Sequence, residues 1–139
     1  MAKQKETFEH TADIGVNASA DTLGELFEAL AEAMADIIFV REQVKPKHVN
    51  LIAIESEDVE ALAIDFLQKE LTLIQADRFL PSKVNVIEID EEHLRAELHG
   101  ELFDSSRHEF NTEIKAVTYH QLVVEKRNDR WFARIIFDV

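Results

Sequence analysis

The sequence contains no cysteine among its 139 residues. Disulfide bonds, zinc sites built on thiolates and cysteine nucleophiles are therefore excluded. A chain without cysteine suits a reducing compartment. The charged N-terminus, Met1–Glu6, also lacks the apolar core that is typical of a secretion signal. We therefore predict a cytoplasmic protein.

Glycine and proline are scarce as well, with 3 Gly and 2 Pro. They leave little material for flexible linkers between domains. The length fits a single domain, which we predict to span residues 1–139. No apolar run approaches the roughly 20 residues that a membrane-spanning helix needs. We therefore expect no membrane association.

Basic residues are outnumbered, since 15 Lys and Arg stand against 28 Asp and Glu, which gives a net charge of −13. A surface this acidic repels the phosphate backbone of nucleic acids. We therefore expect no autonomous nucleic-acid binding. The same surface suits a protein that binds cations or a basic partner.

Two helices are predicted from the spacing of the apolar residues. Thr22 and Glu25 form a capping-box pattern, and the helix that follows is expected to run to about Phe39. The acidic run at residues 55–58 opens a second helix that continues to about Ile74. Alternating apolar residues predict strands over residues 14–20, 49–54, 84–89, 94–100, 114–117, 119–125 and 131–137. This order predicts an α+β domain in which two helices pack on a mixed β-sheet that ends in a β-meander.

The sequence has no glycine-rich phosphate loop, nucleophile elbow or His-Glu-x-x-His motif. Two polar stretches remain as candidates for chemistry. The first contains Asp13, which lies just before a strand; an Asp there usually bonds the next turn and is less often a metal ligand. The second, residues 100–109, places carboxylates, hydroxyls, Arg107 and His108 in the longest irregular segment. It is either a solvated loop or a functional one.

The C-terminus is the third candidate, because an apolar strand is predicted to run almost to the last residue. A terminus pinned in a sheet would hold Asp138 beside the terminal carboxylate of Val139. Two negative groups fixed this close are costly unless a cation lies between them. Oxygen-only ligands favour Ca²⁺ or Mg²⁺ over zinc.

Taken together, these stretches resemble the archease family. The resemblance covers essentially the whole chain, and the run from Lys115 to His120 is its most specific motif. The matching residues are His10-Thr11-Ala12-Asp13-Ile14-Gly15, Gly100-Glu101, Arg107-His108, Lys115-Ala116-Val117-Thr118-Tyr119-His120 and Asp138-Val139.

The resemblance implies a protein cofactor that is not itself an enzyme. Archeases activate the RtcB-type GTP-dependent ligase, which joins RNA ends in tRNA splicing and RNA repair, by promoting its guanylylation and multiple turnover. The metal ligands of the family carry over to Asp13, Asp138 and the carboxylate of Val139, with Ca²⁺ favoured over Mg²⁺. Lys115 matches a lysine that the family requires for function, although a lone strand lysine is more often simply solvated. Arg107 and His108 are further candidates for activation.

Two other functions remain open from the residues alone. A chaperone-like acidic interaction module would need an exposed apolar patch. A metal-dependent hydrolase in its own right would need a general base near a metal-bound water, for which His10 or His108 could serve.

Overall fold

The computed structural model describes the backbone of residues 3–10 and 13–139, with side chains for residues 3–7 and 13–139. Over these ranges the chain forms seven β-strands and two α-helices, with one short 3-10 turn at Arg41–Gln43. The elements are β1 Gln4–His10, β2 Asp13–Ala20, α1 Leu23–Ile38, β3 His48–Glu55, α2 Val59–Ala76, β4 Phe79–Ile89, β5 His93–Leu102, β6 Ala116–Arg127 and β7 Arg130–Asp138.

The strands form two antiparallel sheets, one ordered β1-β2-β7-β6 and the other β3-β5-β4. The predicted α+β class and its two helices are confirmed, but the prediction of one mixed sheet was wrong. The connection through α1 leads from β2 into the other sheet instead of to a parallel neighbour. The connection through α2 joins β3 to β4, and β5 lies between those two strands and is antiparallel to both.

The C-terminal part contains two strands where the sequence predicted three. The predicted strands at residues 114–117 and 119–125 are one strand, β6, whose register with β7 shifts between Thr118 and Val123. Gln121 lies inside this irregularity with a φ of 51°. A bulge of this kind interrupts the alternation of side chains without ending the strand. The edge strand β1 was not predicted, because its sequence carries a single large apolar residue, Phe8.

The two helices begin where the capping patterns predict. The Thr22 side chain accepts a hydrogen bond from the backbone N–H of Glu25 at 3.1 Å, and Asp58 accepts one from Ala61 at 2.8 Å. These side chains satisfy backbone donors that have no partner inside the helix. The apolar faces of α1 and α2 join the core, where the rings of Phe27 and Phe66 stack at 5.9 Å.

Carboxylates of α1 cover the outer edge of β4. Glu28 accepts a hydrogen bond from the backbone N–H of Val86 at 2.9 Å, and Glu32 accepts one from Val84 at 3.4 Å. The Lys3 ammonium lies 3.2 Å from Glu28 and 3.5 Å from Glu32. Unpaired backbone amides on an edge strand are a template for pairing with strands of other chains. These contacts occupy the amides of Val84 and Val86 and so oppose such pairing.

Glu70 of α2 is an acidic residue in the core. Its side chain is fully buried, and neither carboxyl oxygen has a hydrogen-bond partner among the described residues. Burial raises the pKa of this carboxyl well above its ordinary value, and the negative charge of nearby Glu32 adds to the rise. Burial therefore favours the neutral form of the Glu70 carboxyl over the charged form.

Replacing Glu70 by glutamine should change how stability depends on pH. The folded protein keeps the Glu70 proton to a higher pH than the unfolded chain does. This group therefore lowers the free energy of unfolding as pH rises from about 4.5, by at most about 1.4 kcal/mol per pH unit, up to the folded pKa. Glu70→Gln should remove this part of the decrease in the free energy of unfolding, measured by urea unfolding from pH 4.5 to 8. Glu60→Gln, at an exposed site on the same helix, should keep it; equal profiles for Glu70→Gln and wild type would contradict the assignment.

Candidate functional site

Asp13 and Asp138 lie opposite each other at one end of the four-stranded sheet. Asp13 is the first residue of β2 and Asp138 the last of β7, and the register pairs their Cα atoms directly. Side chains of directly opposite residues lie on the same face of a sheet, with Cα atoms about 4.5–5.5 Å apart. Both residues are half-buried. The fold therefore brings together two carboxylates from opposite ends of the chain.

The two aspartates lack a cationic partner in the described part of the protein. No lysine or arginine described there forms an ion pair or hydrogen bond with either carboxylate. Like charges directly opposite each other on two strands destabilise the pairing. An added cation would offset this repulsion, and carboxylate oxygens are the ligands that Ca²⁺ and Mg²⁺ prefer.

Lys115 and Val139 flank this pair. The backbone N–H of Lys115 donates to the carbonyl oxygen of Asp138 at 2.7 Å, and Ala116 lies opposite Asp138 in β6. The Lys115 side chain is exposed. The Val139 side chain is half-buried and packs against the core. The end of the chain is therefore held against the sheet, next to both Asp13 and Lys115.

No side chain from residues 10–12 of the N-terminal motif can be assigned to this site. Thr11 and Ala12 lie outside the described residues, as does the side chain of His10. The described residues hold no cluster of three or more His, Asp or Glu side chains arranged around a possible metal position. The sequence prediction names the terminal carboxylate of Val139 as the third protein ligand.

Arg107 and His108 belong to a different cluster, centred on Glu101 of β5. The Glu101 side chain is 4% exposed, and Arg107 donates to its two oxygens at 2.7 and 3.0 Å. His108 Nε2 lies 2.9 Å from the Glu101 carboxylate, and the backbone N–H of Lys45 donates to the same carboxylate at 2.8 Å. The hydrogen bonds from Arg107 hold the pKa of Glu101 far below its usual value in spite of burial. No contact described in the structure joins this cluster to Asp13 or Asp138.

His108 has no free ring nitrogen for catalysis. Its Nδ1 accepts a hydrogen bond from the backbone N–H of Asp104 at 2.9 Å. The proton must then lie on Nε2, which donates it to Glu101. A histidine with both nitrogens engaged is poorly suited to serve as a general base, so the arrangement gives no support to a hydrolase built on His108.

Gly100 allows the Glu101 cluster to form. A Cβ atom on Gly100 would lie 1.9 Å from the carbonyl oxygen of Leu80 in β4, far inside van der Waals contact. Glycine is therefore required at position 100, because the backbone of β4 occupies the place of a Cβ atom. The Gly100-Glu101 pair combines a close backbone approach with a buried carboxylate.

A cavity that the sequence did not predict lies beside Lys115. It has a volume of about 450 Å³ and is lined in part by Ile114, the residue before Lys115, and by Arg78 at the end of α2. The one signal in the sequence was an arginine directly after a helix, at a position where glycine is usual.

The comparisons with known proteins agree with the motifs. The model of the Archease protein family matches residues 6–139. The chain belongs to the archease family. Two relatives named protein archease are those of Pyrococcus furiosus, 40% identical over 141 residues, and Pyrococcus abyssi, 38% identical over 141 residues; each match covers 99% of both chains.

Solved archease structures share the fold. The solution structure of protein 1598 from Methanobacterium thermoautotrophicum matches with a TM-score of 0.80 and 31% identity, covering 97% of this chain and 98% of that one. The crystal structure of a Thermotoga maritima protein, described as an archease and possible chaperone, matches with a TM-score of 0.69 and 23% identity over 96% of both chains. The name archease denotes a protein family and states no reaction. None of the helices described for this archease is long and apolar enough to cross a membrane.

Replacing Glu101 by glutamine should destabilise the protein without touching the aspartate pair. The change removes the charge-assisted hydrogen bonds from Arg107 to a buried carboxylate, while Arg107 keeps its contact with Asp104 at 3.4 Å. It should lower the free energy of unfolding by about 2 kcal/mol in urea at pH 7. Because the folded pKa of Glu101 is lowered, its contribution is present above about pH 4.5 and is lost as pH falls below it. The difference from wild type should therefore shrink on acidification.

The control for this experiment is Glu97→Gln on the same strand. Glu97 lies nearer the surface, with a side chain 32% exposed, and contacts His99 at 3.1 Å. Its replacement should leave the free energy of unfolding close to that of wild type. Equal losses from the two variants would show that the Glu101 cluster contributes no more than a surface ion pair.

Proposed function

We propose that this archease activates an RtcB-type GTP-dependent RNA ligase in the cytoplasm, promoting its guanylylation and multiple turnover in tRNA splicing or RNA repair. In this proposal the protein is a cofactor of the ligase and catalyses no reaction of its own. Asp13, Asp138 and the Val139 carboxylate bind a divalent cation, Ca²⁺ or Mg²⁺, with Ca²⁺ favoured. Lys115 acts beside them.

The facing aspartates are the observation that carries the proposal. Two half-buried carboxylates lie directly opposite each other at a strand end without a described cationic partner. An arrangement that repels itself is a cost to the fold unless a ligand offsets it. The donor set consists of oxygen atoms alone, which fits a hard divalent cation.

The residues around the pair suit a role at a partner's phosphate-binding cleft. Guanylylation places a triphosphate against a nucleophile, and a bound cation supplies charge neutralisation for such groups. The acidic surface of this protein would steer it toward a basic cleft. The exposed ammonium of Lys115 would then contact a phosphate or a ligase carboxylate, and docking would favour the competent conformation of the ligase.

The alternative functions have less support. A chaperone-like module would need a continuous exposed apolar patch. The large exposed apolar side chains of the described residues lie on five segments of the chain: Val49 and Leu51, Ile87, Leu102, Phe110, and Tyr119. Both ring nitrogens of His108 are engaged in hydrogen bonds at the Glu101 cluster and are not available for hydrolysis.

A ligation assay tests the proposal directly. The cognate ligase would be given an excess of RNA with a 3′-phosphate end and a 5′-hydroxyl end, together with GTP and the divalent cation, with and without this protein. We expect single turnover by the ligase alone and repeated turnover in the mixture. Equal product with and without the protein would overturn the proposal.

Metal binding should depend on Asp138 and on a free C-terminus. Asp138→Asn removes one carboxylate, and a short C-terminal extension moves the terminal carboxylate away from Asp13. Each change should weaken Ca²⁺ binding by about tenfold or more in calorimetric titration, because each removes one charged ligand. Asp129→Asn in the exposed turn before β7 is the matched control and should bind Ca²⁺ normally. Unchanged affinity in the extended protein would exclude Val139 as a ligand.

Lys115→Ala should separate function from stability. The Lys115 side chain is exposed, so its loss should change the free energy of unfolding by no more than about 0.5 kcal/mol. Loss of a buried charged contact at the ligase interface should cost about 2–5 kcal/mol of binding and abolish stimulation. Lys126→Ala, also on an exposed part of the sheet, should keep full activity. A Lys115→Ala protein that still stimulates multiple turnover would remove Lys115 from the site.

A further inference from the structure

Arg78 occupies a backbone conformation that arginine rarely adopts. It follows the C-cap residue Asp77 of α2 and has a φ of 56°. At this position of a helix end glycine is the usual residue, because a side chain strains the left-handed conformation. The carbonyl oxygen of Arg78 accepts a hydrogen bond from the backbone N–H of Phe103 at 2.7 Å. A long cationic side chain therefore occupies a position where glycine would adopt the same backbone conformation with less strain.

Two aromatic rings hold the Arg78 guanidinium in place. Its carbon lies 4.7 Å from the ring centre of Phe103 and 5.3 Å from that of Phe110, and the two ring centres are 4.7 Å apart. Arg78 forms no ion pair with any carboxylate of the described residues. In a protein with a net charge of −13, an arginine fixed by aromatic rings and left without an anion is available to an external carboxylate.

The same arginine stands on the wall of the cavity beside Lys115. The cavity has a volume of about 450 Å³, within the range of pockets that take a small group. Ile38, Leu71, Ile74 and Ile114 give it an apolar lining, and Phe110, which is 43% exposed, stands beside Arg78 in its wall. The side-chain amide of Gln75 is already engaged, since it donates to the carbonyl oxygen of Ile114 at 2.8 Å. The cavity therefore combines one cation, Arg78, and one carboxylate, Glu113, with an apolar interior.

We propose that this cavity receives an apolar side chain of the partner protein whose neighbouring carboxylate pairs with Arg78. A nucleic-acid occupant is disfavoured because the whole chain, with a net charge of −13, repels phosphate polymers. A protein segment that carries an apolar side chain beside an Asp, a Glu or a chain terminus satisfies both features of the cavity. The identification of that partner as the ligase rests on the proposed function, whereas the chemistry of the cavity does not.

A small probe tests the cavity without the ligase. N-acetyl-L-phenylalanine carries an apolar group beside a carboxylate, and N-acetyl-L-phenylalaninamide is its uncharged match. In an NMR titration we expect the acid to shift resonances of Phe110 and Ile114, and the amide to bind at least about tenfold more weakly, as the loss of a charge-assisted contact implies. Equal affinity for the two probes, or no shift at these residues, would overturn the proposal.

Arg78→Gly is the decisive variant, because the change to glycine removes the guanidinium and also relieves the backbone strain at that position. It should melt close to the wild-type temperature and lose the preference for the acid. Lys69→Gln, which removes one positive charge at an exposed site on α2, should keep that preference. An Arg78→Gly protein that still prefers the acid would also overturn the proposal.

The ligase provides the second measurement. Arg78→Gly should raise the concentration of protein needed for half-maximal stimulation by about tenfold and leave the maximal rate unchanged, since the contact contributes to docking and not to chemistry. An unchanged half-maximal concentration would mean that the partner does not use the cavity. If the wild-type protein fails to stimulate the ligase, the proposed function fails, and the probe titration still decides the chemistry of the cavity.

Discussion

The antiparallel pairing of β2 with β7 determines where the N-terminal and C-terminal motifs of this archease meet. On the inner face of that pair Val16 lies opposite Ile135 and Ala18 lies opposite Ala133, and all four are buried. A shift by one residue would turn these side chains out to solvent, so the packing of the core locks the register. Asp13 then faces Asp138 because the core is packed, and their mutual repulsion does not choose the arrangement. The repulsion between the two facing charges is therefore a consequence of the fold.

Carboxylates inside this acidic protein have sharply different surroundings. Glu28 and Glu32 accept hydrogen bonds from the free edge of β4. Glu101 is buried but surrounded by donors, and its pKa is lowered. Glu70 is buried without a partner among the described residues, and its pKa is raised. These residues show that part of the acidic composition serves the fold and is not presented to a binding partner.

One irregular segment connects the aspartate pair with the cavity at the end of α2. Residues 111–115 run between the two without forming a strand, and they are fixed by hydrogen bonds from Asn111 to Ile38 at 2.8 Å and from Lys115 to Asp138 at 2.7 Å. Ile114 forms part of the cavity wall and Lys115 is exposed beside Asp138. The cavity wall and the backbone of Lys115 therefore belong to one hydrogen-bonded segment.

The sequence by itself determined the helices and the family, because both depend on local information. The cap at Thr22 and the apolar spacing of α1 and α2 are set by neighbouring residues, and the motif from Lys115 to His120 can be recognised as a string. The division into two sheets, the single bulged strand β6 and the edge strand β1 depended on which strands pair, and pairing partners are distant in sequence. The same reason explains the site. Asp138 and Val139 were predictable as a local pair, and Asp13 was added by resemblance to a family. Only the tertiary structure decided that Asp13 faces Asp138, that Arg107 and His108 enclose Glu101 instead, and that Arg78 is left beside a cavity, because each of these depends on packing between remote segments.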